Sequence, residues 1–572
     1  MKSFRSAKFK SAASVFVIVF AAGLVAACGG GGGGGTTVSP PPPPPPASPT
    51  PSSVTISGAV TFDKVPHNSN FRGLDYDAIT QEPARGVVVQ AVNVGGTVLD
   101  SDVTDTSGAY DVTVNSNTDV QIRVRSELQQ STGATWDIQV LDNTSSNAIY
   151  VLSGSLTSSG AANSTRNLNA PSGWDLASNG YTSTRAAAPF SILDAIYETV
   201  SDIAAVDSDV TLPPLQVLWS VGNVPTSGDV ANGEIGTSSY TVTNDVPTIR
   251  ILGDADNDTD EYDIHVIVHE FGHYFEDQLS RSDSPGGSHS LSNRLDARLA
   301  FGEGWGNAFS GIILDDPVYR DSGGAQQSSG FAFSVEQDLT EISGTSRDAG
   351  WFNEATVQQI LYDIYDSAND GQDTISGGLA PIYNAFTDNA YIDNGDFTTI
   401  FSFADRIRNE AAVNGSVLDA MLLAEDVNGS GSRGIGETNI GGLARTLPVY
   451  KVATQGGSGI TVCSDPANGD TNKHGVREFI TLSLASTGAL TMTASETSGP
   501  AGTTDPDFRI WETGRLFTRD TRGQDRRAES SVDGTETWMG TLDAGTYAIE
   551  FYDFNNLDAA TAAESCFSFT VT

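Results

Sequence analysis

Six histidines occur among the 572 residues. Two of them, His269 and His273, stand four apart with an acid between them, in His269-Glu270-Phe271-Gly272-His273. On a helix this spacing puts both imidazoles on one face a turn apart, so that both reach a single Zn²⁺. Glu270 then lies beside the metal, placed to take a proton from its bound water. The flanking residues predict that helix: Ile264, Ile267, Val268, Phe271 and Phe275 recur at helical spacing, and acids from Asp260 onward fall in the expected first turn, where the dipole favours them. Two histidines do not complete a catalytic zinc site, which takes a third protein ligand and leaves a position for water. His265 lies one turn earlier, but Val266 follows it where the base would stand, so it reads as a helix-surface or supporting residue. Glu276 shares the helical face and would crowd three donors along one line. Glu303, in the small-residue stretch Leu299-Ala-Phe-Gly-Glu-Gly-Trp-Gly-Asn-Ala-Phe-Ser310, is the better candidate. A lone carboxylate on a buried helix needs a partner charge, and a structural salt bridge is the alternative to a metal.

The pair His269-Glu-Phe-Gly-His273 and, about thirty residues on, Gly302-Glu-Gly-Trp-Gly306 resembles the gluzincin metallopeptidases, most nearly the fungalysin and thermolysin-like branch, where HExxH is followed by GEGW. The likeness runs over roughly Arg185 to Asn414. It implies hydrolysis of protein or peptide substrates with one catalytic zinc held by His269, His273 and Glu303, and with Glu270 as general base. Those families often place an aspartate four residues after the ligand glutamate. Here that position is Asn307, whose oxygen can accept an imidazole N–H without adding charge. Fungalysins also carry a histidine, at the start of a later helix, that stabilises the transition state. The matching helix reads as Glu354 to Tyr365 and the matching residue as Trp351, whose indole donates a hydrogen bond but cannot become cationic. The candidates for that role are His289, Trp351 and Tyr362. The departure keeps a second reading open, that of a catalytically inactive cell-surface binding lipoprotein with a structural zincin core.

The elements around this core define a multidomain chain, an α+β zincin-like core over 183–455 flanked by two all-β sandwich modules. Short alternating runs such as Val54–Phe62, Gly86–Val92, Tyr110–Val114 and Val120–Val124 predict a sandwich over 54–182. Its stretch Thr104–Val112 resembles carboxypeptidase regulatory-like modules. Runs at Phe479–Leu484, Ala489–Ala494, Phe508–Trp511 and Ala544–Tyr552 predict a second sandwich over 456–572, which resembles prepeptidase C-terminal modules through Asp507–Ile510 and Ala544–Tyr547. Both resemblances imply accessory roles. Asp254–Asp260 and Asp426–Gly431 look like calcium loops. Neither has an EF-hand's turn glycine and twelfth-position glutamate in register, so Ca²⁺ is only a secondary expectation beside zinc, and solvated acidic turns are expected.

At the N-terminus, Lys2, Arg5, Lys8 and Lys10 precede an apolar run, Ala12 to Ala27, that is too short to span a bilayer comfortably. It reads as an export signal over 1–27. Leu24-Val25-Ala26-Ala27-Cys28 resembles the lipobox of bacterial lipoproteins, which implies lipidation of Cys28. The glycine run Gly29 to Gly35 and the proline run Pro40 to Pro46 then make 28–53 a tether. The expected location is the cell envelope, outside the cytoplasm, with the acyl chain as the membrane contact. Thirty Lys and Arg against 71 Asp and Glu give a net charge of −41, which repels phosphate backbones and argues against nucleic acid as a partner. With Cys28 lipidated, Cys463 and Cys566 remain, near the two ends of the second sandwich, and in an oxidising compartment they are expected to pair. Cys28→Ser is expected to abolish incorporation of a labelled fatty acid; a variant that still partitions with membranes would remove the lipobox reading.

Overall fold

The computed structural model describes residues 52–572 except 71, 337–347, 369–372, 501, 513–521 and 523. The expected export signal, Cys28 and all but the end of the tether lie outside the described residues. Among the described residues, no helix is long and apolar enough to cross a membrane.

Alternation becomes strand where the sequence predicts it. Ser53–Lys64 turns Val54, Ile56, Val60 and Phe62 inward and pairs antiparallel with Ala109–Asn115 and Thr80–Pro83. A longer sheet supports the site. Its order is Ser239–Thr243, Val246–Ile251, Leu215–Trp219, Trp136–Asp142, Asp119–Gln130, Val87–Val92, Val98–Val103. Trp136–Asp142 and Leu215–Trp219 are parallel neighbours, with Val140 opposite Val217. One comes from the expected 54–182 module and the other from the expected 183–455 core, so the boundary between the two does not fall at an edge of the sheet. Helix α1 (Ala188–Val206) packs on this sheet, starting with a proline in its first turn, where the fixed φ suits the helix and the missing N–H costs nothing.

Three helices hold the candidate residues: α2 (Ile264–Leu279), α3 (Ala297–Leu314) and α4 (Glu354–Tyr365). Helix α2 begins at Ile264, later than expected. Asp260 and Asp263 precede it as buried residues, so acids do not occupy its first turn. Helix α3 is buried from Ala297 to Ile313 and lies between α2 and α4. A helix that is small or apolar all round belongs in such a position. Its N-terminus is capped by Asp296, which accepts from the Arg298 N–H at 3.0 Å, and α4 is capped by Asn353, which accepts from Thr356.

At the C-terminus two sheets face each other, as the second sandwich requires. One has the order Tyr450–Ala453, Arg477–Leu484, Gly545–Asp553, Pro506–Glu512, Arg527–Ala528; the other runs Ile460–Ser464, Ser565–Val571, Gly488–Ser498, Thr535–Leu542. Tyr450–Ala453 belongs to the first of them, so the strands of the module begin before residue 456. Cys463 and Cys566 sit opposite each other in antiparallel register and form the expected disulfide.

This sandwich is seated on α3. Arg298, 1 % exposed, pairs with Asp296 at 2.9 Å and with Glu550 of the strand Gly545–Asp553 at 2.8 Å, and its guanidinium lies over the rings of Phe397 and Phe479. Arg477 approaches the same Glu550 oxygen at 2.9 Å. Burial alone would raise the Glu550 pKa; Arg298 and Arg477 outweigh it and hold the carboxyl down at about 2. A carboxyl depressed on folding adds stability above its ordinary 4.5, and that contribution is lost as pH falls from there through about 2. Glu550→Gln is therefore expected to cost about 3 to 5 kcal/mol at pH 7, since it leaves buried guanidinium charge uncompensated. It should also flatten the acid limb between pH 5 and pH 2, as read by chemical denaturation across that range; an unchanged acid limb would contradict the assignment.

Candidate metal centre

His269 and His273 follow one another by one turn on the face of α2 that meets α3. The two helices come close because α3 lacks side chains where they touch: a Cβ on Gly306 would stand 2.7 Å from the His269 ring. On the far side of α3, a Cβ on Gly304 would stand 2.5 Å from Val357 of α4. The Trp305 indole donates to the Gly272 carbonyl at 2.9 Å and fixes the rotation of one helix against the other. Glu303 then projects between the imidazoles. His269 Nε2 and His273 Nε2 are 3.1 Å apart, and Glu303 Oε2 lies 3.4 Å and 3.3 Å from them.

Two imidazole nitrogens and one carboxylate oxygen are a zinc donor set. Bonds of about 2.0 to 2.2 Å in a tetrahedral arrangement separate donors by about 3.3 to 3.6 Å; the two separations from Glu303 fall in that range, and the imidazole nitrogens, at 3.1 Å, stand slightly closer. The His269 ring also offers the correct nitrogen. The Ser334 carbonyl can only accept, so it takes the Gln358 Nε2–H at 3.2 Å and leaves Gln358 Oε1 to accept from Asn307 Nδ2 at 3.0 Å. Asn307 Oδ1 is thereby an acceptor, 3.0 Å from His269 Nδ1. His269 carries its proton on Nδ1, and Nε2 is free as a ligand. Burial would lower the pKa of His273, but the Glu303 carboxylate outweighs it and raises the group to about 9. Glu303 is itself pushed up by burial, yet His273 and His289 hold it well below the carboxylate range.

Glu270 and His289 line a cleft of about 470 Å³ that opens beside His269. His289 comes from the loop before α3. Its Nδ1 lies 2.8 Å from Glu354 Oε2 at the start of α4, and its Nε2 lies 3.2 Å from Glu303 Oε2. Carboxylates only accept, so both ring nitrogens face acceptors and both donate. The sandwich holds this loop from behind: Asn472 Nδ2 donates to the carbonyls of Gly286 and Ser288 at 2.9 and 3.1 Å, and Lys473 Nζ donates to Ser288 at 2.7 Å.

Of the other residues weighed from the sequence, Trp351 is buried and its indole N–H is taken by the Asn439 carbonyl at 2.9 Å; it does not line the cleft. Tyr362 packs against Gly311 of α3 and beside Tyr365 of its own helix, also away from the cleft. Glu276 is buried one turn beyond His273, outside the converging set. His265 is fully buried rather than on a surface, between Ser310 and Arg320, and burial lowers its pKa to about 3. Sequence reasoning missed Glu354, Gln358 and the cleft wall of Tyr319, Phe331 and Phe333, whose rings stack along the hairpin Val318–Gly323 and Ser329–Ser334. Glu354 opens a helix and so reads as an ordinary first-turn acid; for the hairpin no spacing signal was available. Asn307→Leu removes the acceptor on His269 and is expected to weaken metal binding by about 10- to 100-fold, with Asn307→Asp retaining it. Competition against a chromophoric chelator measures both, and equal affinity in the leucine variant would refute the hydrogen-bond chain.

The Mycolysin C-terminal domain matches residues 234–420, a third of the chain that contains α2, α3 and α4. No curated protein matches. Among solved structures, the pre-peptidase C-terminal domain of collagenase from Bacillus anthracis is 10 % identical, covering 22 % of this chain and 94 % of that one with a TM-score of 0.15. PliG of Aeromonas hydrophila, a periplasmic lysozyme inhibitor of g-type lysozyme, is 16 % identical over 22 % of this chain and 97 % of that one, with a TM-score of 0.14. A CBM35 from Cellvibrio japonicus Abf62 is 13 % identical over 20 % and 87 %, with a TM-score of 0.13. At such scores none of the three bears on fold or function.

Proposed function

We propose that this chain is a zinc-dependent metallopeptidase that hydrolyses peptide bonds of proteins outside the cytoplasm, held at the cell envelope by a lipid on Cys28. The observation that carries the reading is the convergence of His269, His273 and Glu303 at the side of a cleft that Glu270 and His289 also line. The match of residues 234–420 to the Mycolysin C-terminal domain supports an association with peptidases, and the Cys463–Cys566 disulfide suits an oxidising compartment.

Zinc, held by His269, His273 and Glu303, would supply Lewis-acid polarisation of the substrate carbonyl and a water acidified towards pH 7. Glu270 accepts the proton of the attacking water and passes it to the leaving amine. His289, oriented by Glu354 through Nδ1, would turn its Nε2–H from Glu303 Oε2 to the oxygen on which negative charge develops. Asn307 keeps the His269 ring in the ligating tautomer. The stacked rings of Tyr319, Phe331 and Phe333 offer an apolar wall to a substrate side chain.

The second reading, a binding lipoprotein with a structural zincin core, is favoured by one observation: the indole N–H of Trp351, at the place of the family histidine, is already taken by Asn439. One variant separates the two. Glu270→Gln keeps the ligands and removes the base, so zinc content by atomic absorption should stay near one per chain while hydrolysis of a denatured protein substrate falls by about 10²- to 10⁴-fold. Turnover equal to that of the parent protein would sink the mechanism, and zinc without hydrolysis in the parent itself would favour the binding protein.

A further inference from the structure

A second acidic group meets in the wall of the same cleft and takes no part in the chemistry above. Asp258 lies in the short strand Asp258–Thr259, Asp260 follows it just before α2, and Asp321 lies on the hairpin strand Val318–Gly323 that comes after α3. One oxygen of each lies within 4.8 Å of the other two. The sequence suggests a solvated acidic turn here, but the end of that turn is buried. The Asn257 carbonyl accepts from Gly324, and Asp256 accepts from the Gln326 N–H, so the turn is clamped to the hairpin.

Three carboxylates so placed repel one another. Burial pushes all three up from the usual carboxylate range, and acidic neighbours add to it for Asp260 and Asp321; Asp258 reaches about 6 although a hydrogen bond with Asp260 pulls the other way. No arginine or lysine among the described residues pairs with any of the three. Asp260 is 3 % exposed; its Oδ2 accepts the Ser238 hydroxyl, while its Oδ1 has no hydrogen-bond partner. Asp258 Oδ1 is likewise buried and unpartnered. Carboxylate oxygens sealed from water without a donor are costly. Their arrangement calls for a positive charge small enough to lodge between them.

We propose that Asp258, Asp260 and Asp321 bind a single divalent cation of the calcium class, separate from the His269, His273 and Glu303 set. The donors are all hard oxygens, which suit Ca²⁺ and not the nitrogen-seeking metals, and their separations suit Ca–O bonds of about 2.3 to 2.6 Å. A cationic substrate side chain reaching in from the cleft is the rival occupant. It is disfavoured because the two unpartnered oxygens are sealed from solvent, and a bulky guanidinium would have to shed its water to meet them. The ion would tie the segment entering α2 to the hairpin leaving α3 and so fix the cleft wall that bears Tyr319, Phe331 and Phe333.

The test uses the full chain with zinc restored after other cations are stripped on a chelating resin. Equilibrium dialysis with ⁴⁵Ca should give about one ion per chain. Calcium should raise the thermal unfolding midpoint, and equal magnesium should raise it much less. Asp321→Asn and Asp258→Asn should each weaken calcium binding by at least about tenfold with zinc content unchanged. The same variants should be as stable as the parent protein, or more stable, without calcium, because each relieves repulsion, and less stable with it. Absence of calcium binding at millimolar concentration overturns the proposal whether or not the variants fold. Undiminished binding in both variants moves the site elsewhere, to the Asp426 turn for example. Stabilisation by methylguanidinium but not by calcium assigns the carboxylates to a cationic side chain, and equal responses to calcium and magnesium reduce the effect to screening.

Discussion

Everything at the candidate centre depends on how closely α2 and α3 approach. Glu303 can stand between two imidazoles of a neighbouring helix only because α3 has no Cβ at Gly306, where His269 fills the space instead. The same economy repeats on the other face of α3, where Gly304 admits Val357. Three helices thus pack more tightly than ordinary side chains allow, and the donors are fixed by backbone contact and not by long flexible stems. Trp305 adds a hydrogen bond across the contact, so a slide of one helix along the other would break it.

Tight packing of this kind leaves charged groups in places that water does not reach, and the chain resolves them in pairs. Glu303 is met by His273 and His289, His289 by Glu354, and Arg298 by Asp296 and Glu550. Each pair joins two different elements except Arg298 with Asp296, which is local. The buried charges therefore specify which surfaces meet, in addition to any net stability they contribute. The sandwich takes part twice, through Glu550 at the start of α3 and through Asn472 and Lys473 behind the His289 loop. An accessory module hanging from the core would make neither contact.

Much of this was legible in the sequence. His269, Glu270 and His273 declare themselves by spacing, the helix from Glu354 to Tyr365 has the bounds the family resemblance gave it, and Cys463 and Cys566 face each other because they lie in the end strands of one sandwich. Asn307 occupies the place beside His269 that its offset from Glu303 suggests. What escaped reading was long-range. The parallel pairing of Trp136–Asp142 with Leu215–Trp219 joins strands about eighty residues apart, and no local pattern marks it. Asp260 reads as a helix-starting acid, yet it is buried and accepts from Ser238, 22 residues earlier in the chain. Trp351 reads as the place of the family histidine by its approximate position before the helix, but its indole N–H is taken by Asn439. Periodicity reports which face of an element is buried; it does not report what buries it.

The pairing of Arg298 with Glu550 spans 252 residues, and this has a consequence for the order in which the molecule can be finished. Chains emerge from synthesis and from export N-terminus first. When α3 leaves the channel it has Asp296 beside its guanidinium, but the strand bearing Glu550 is still inside. The helix that carries Glu303 therefore waits for a strand 252 residues further on before its buried end is neutralised, and the loop of His289 waits for Asn472. A nascent or truncated chain holds His269, His273 and Glu303 without the finished cleft, so the assembly of the candidate centre is timed by the arrival of the second sandwich.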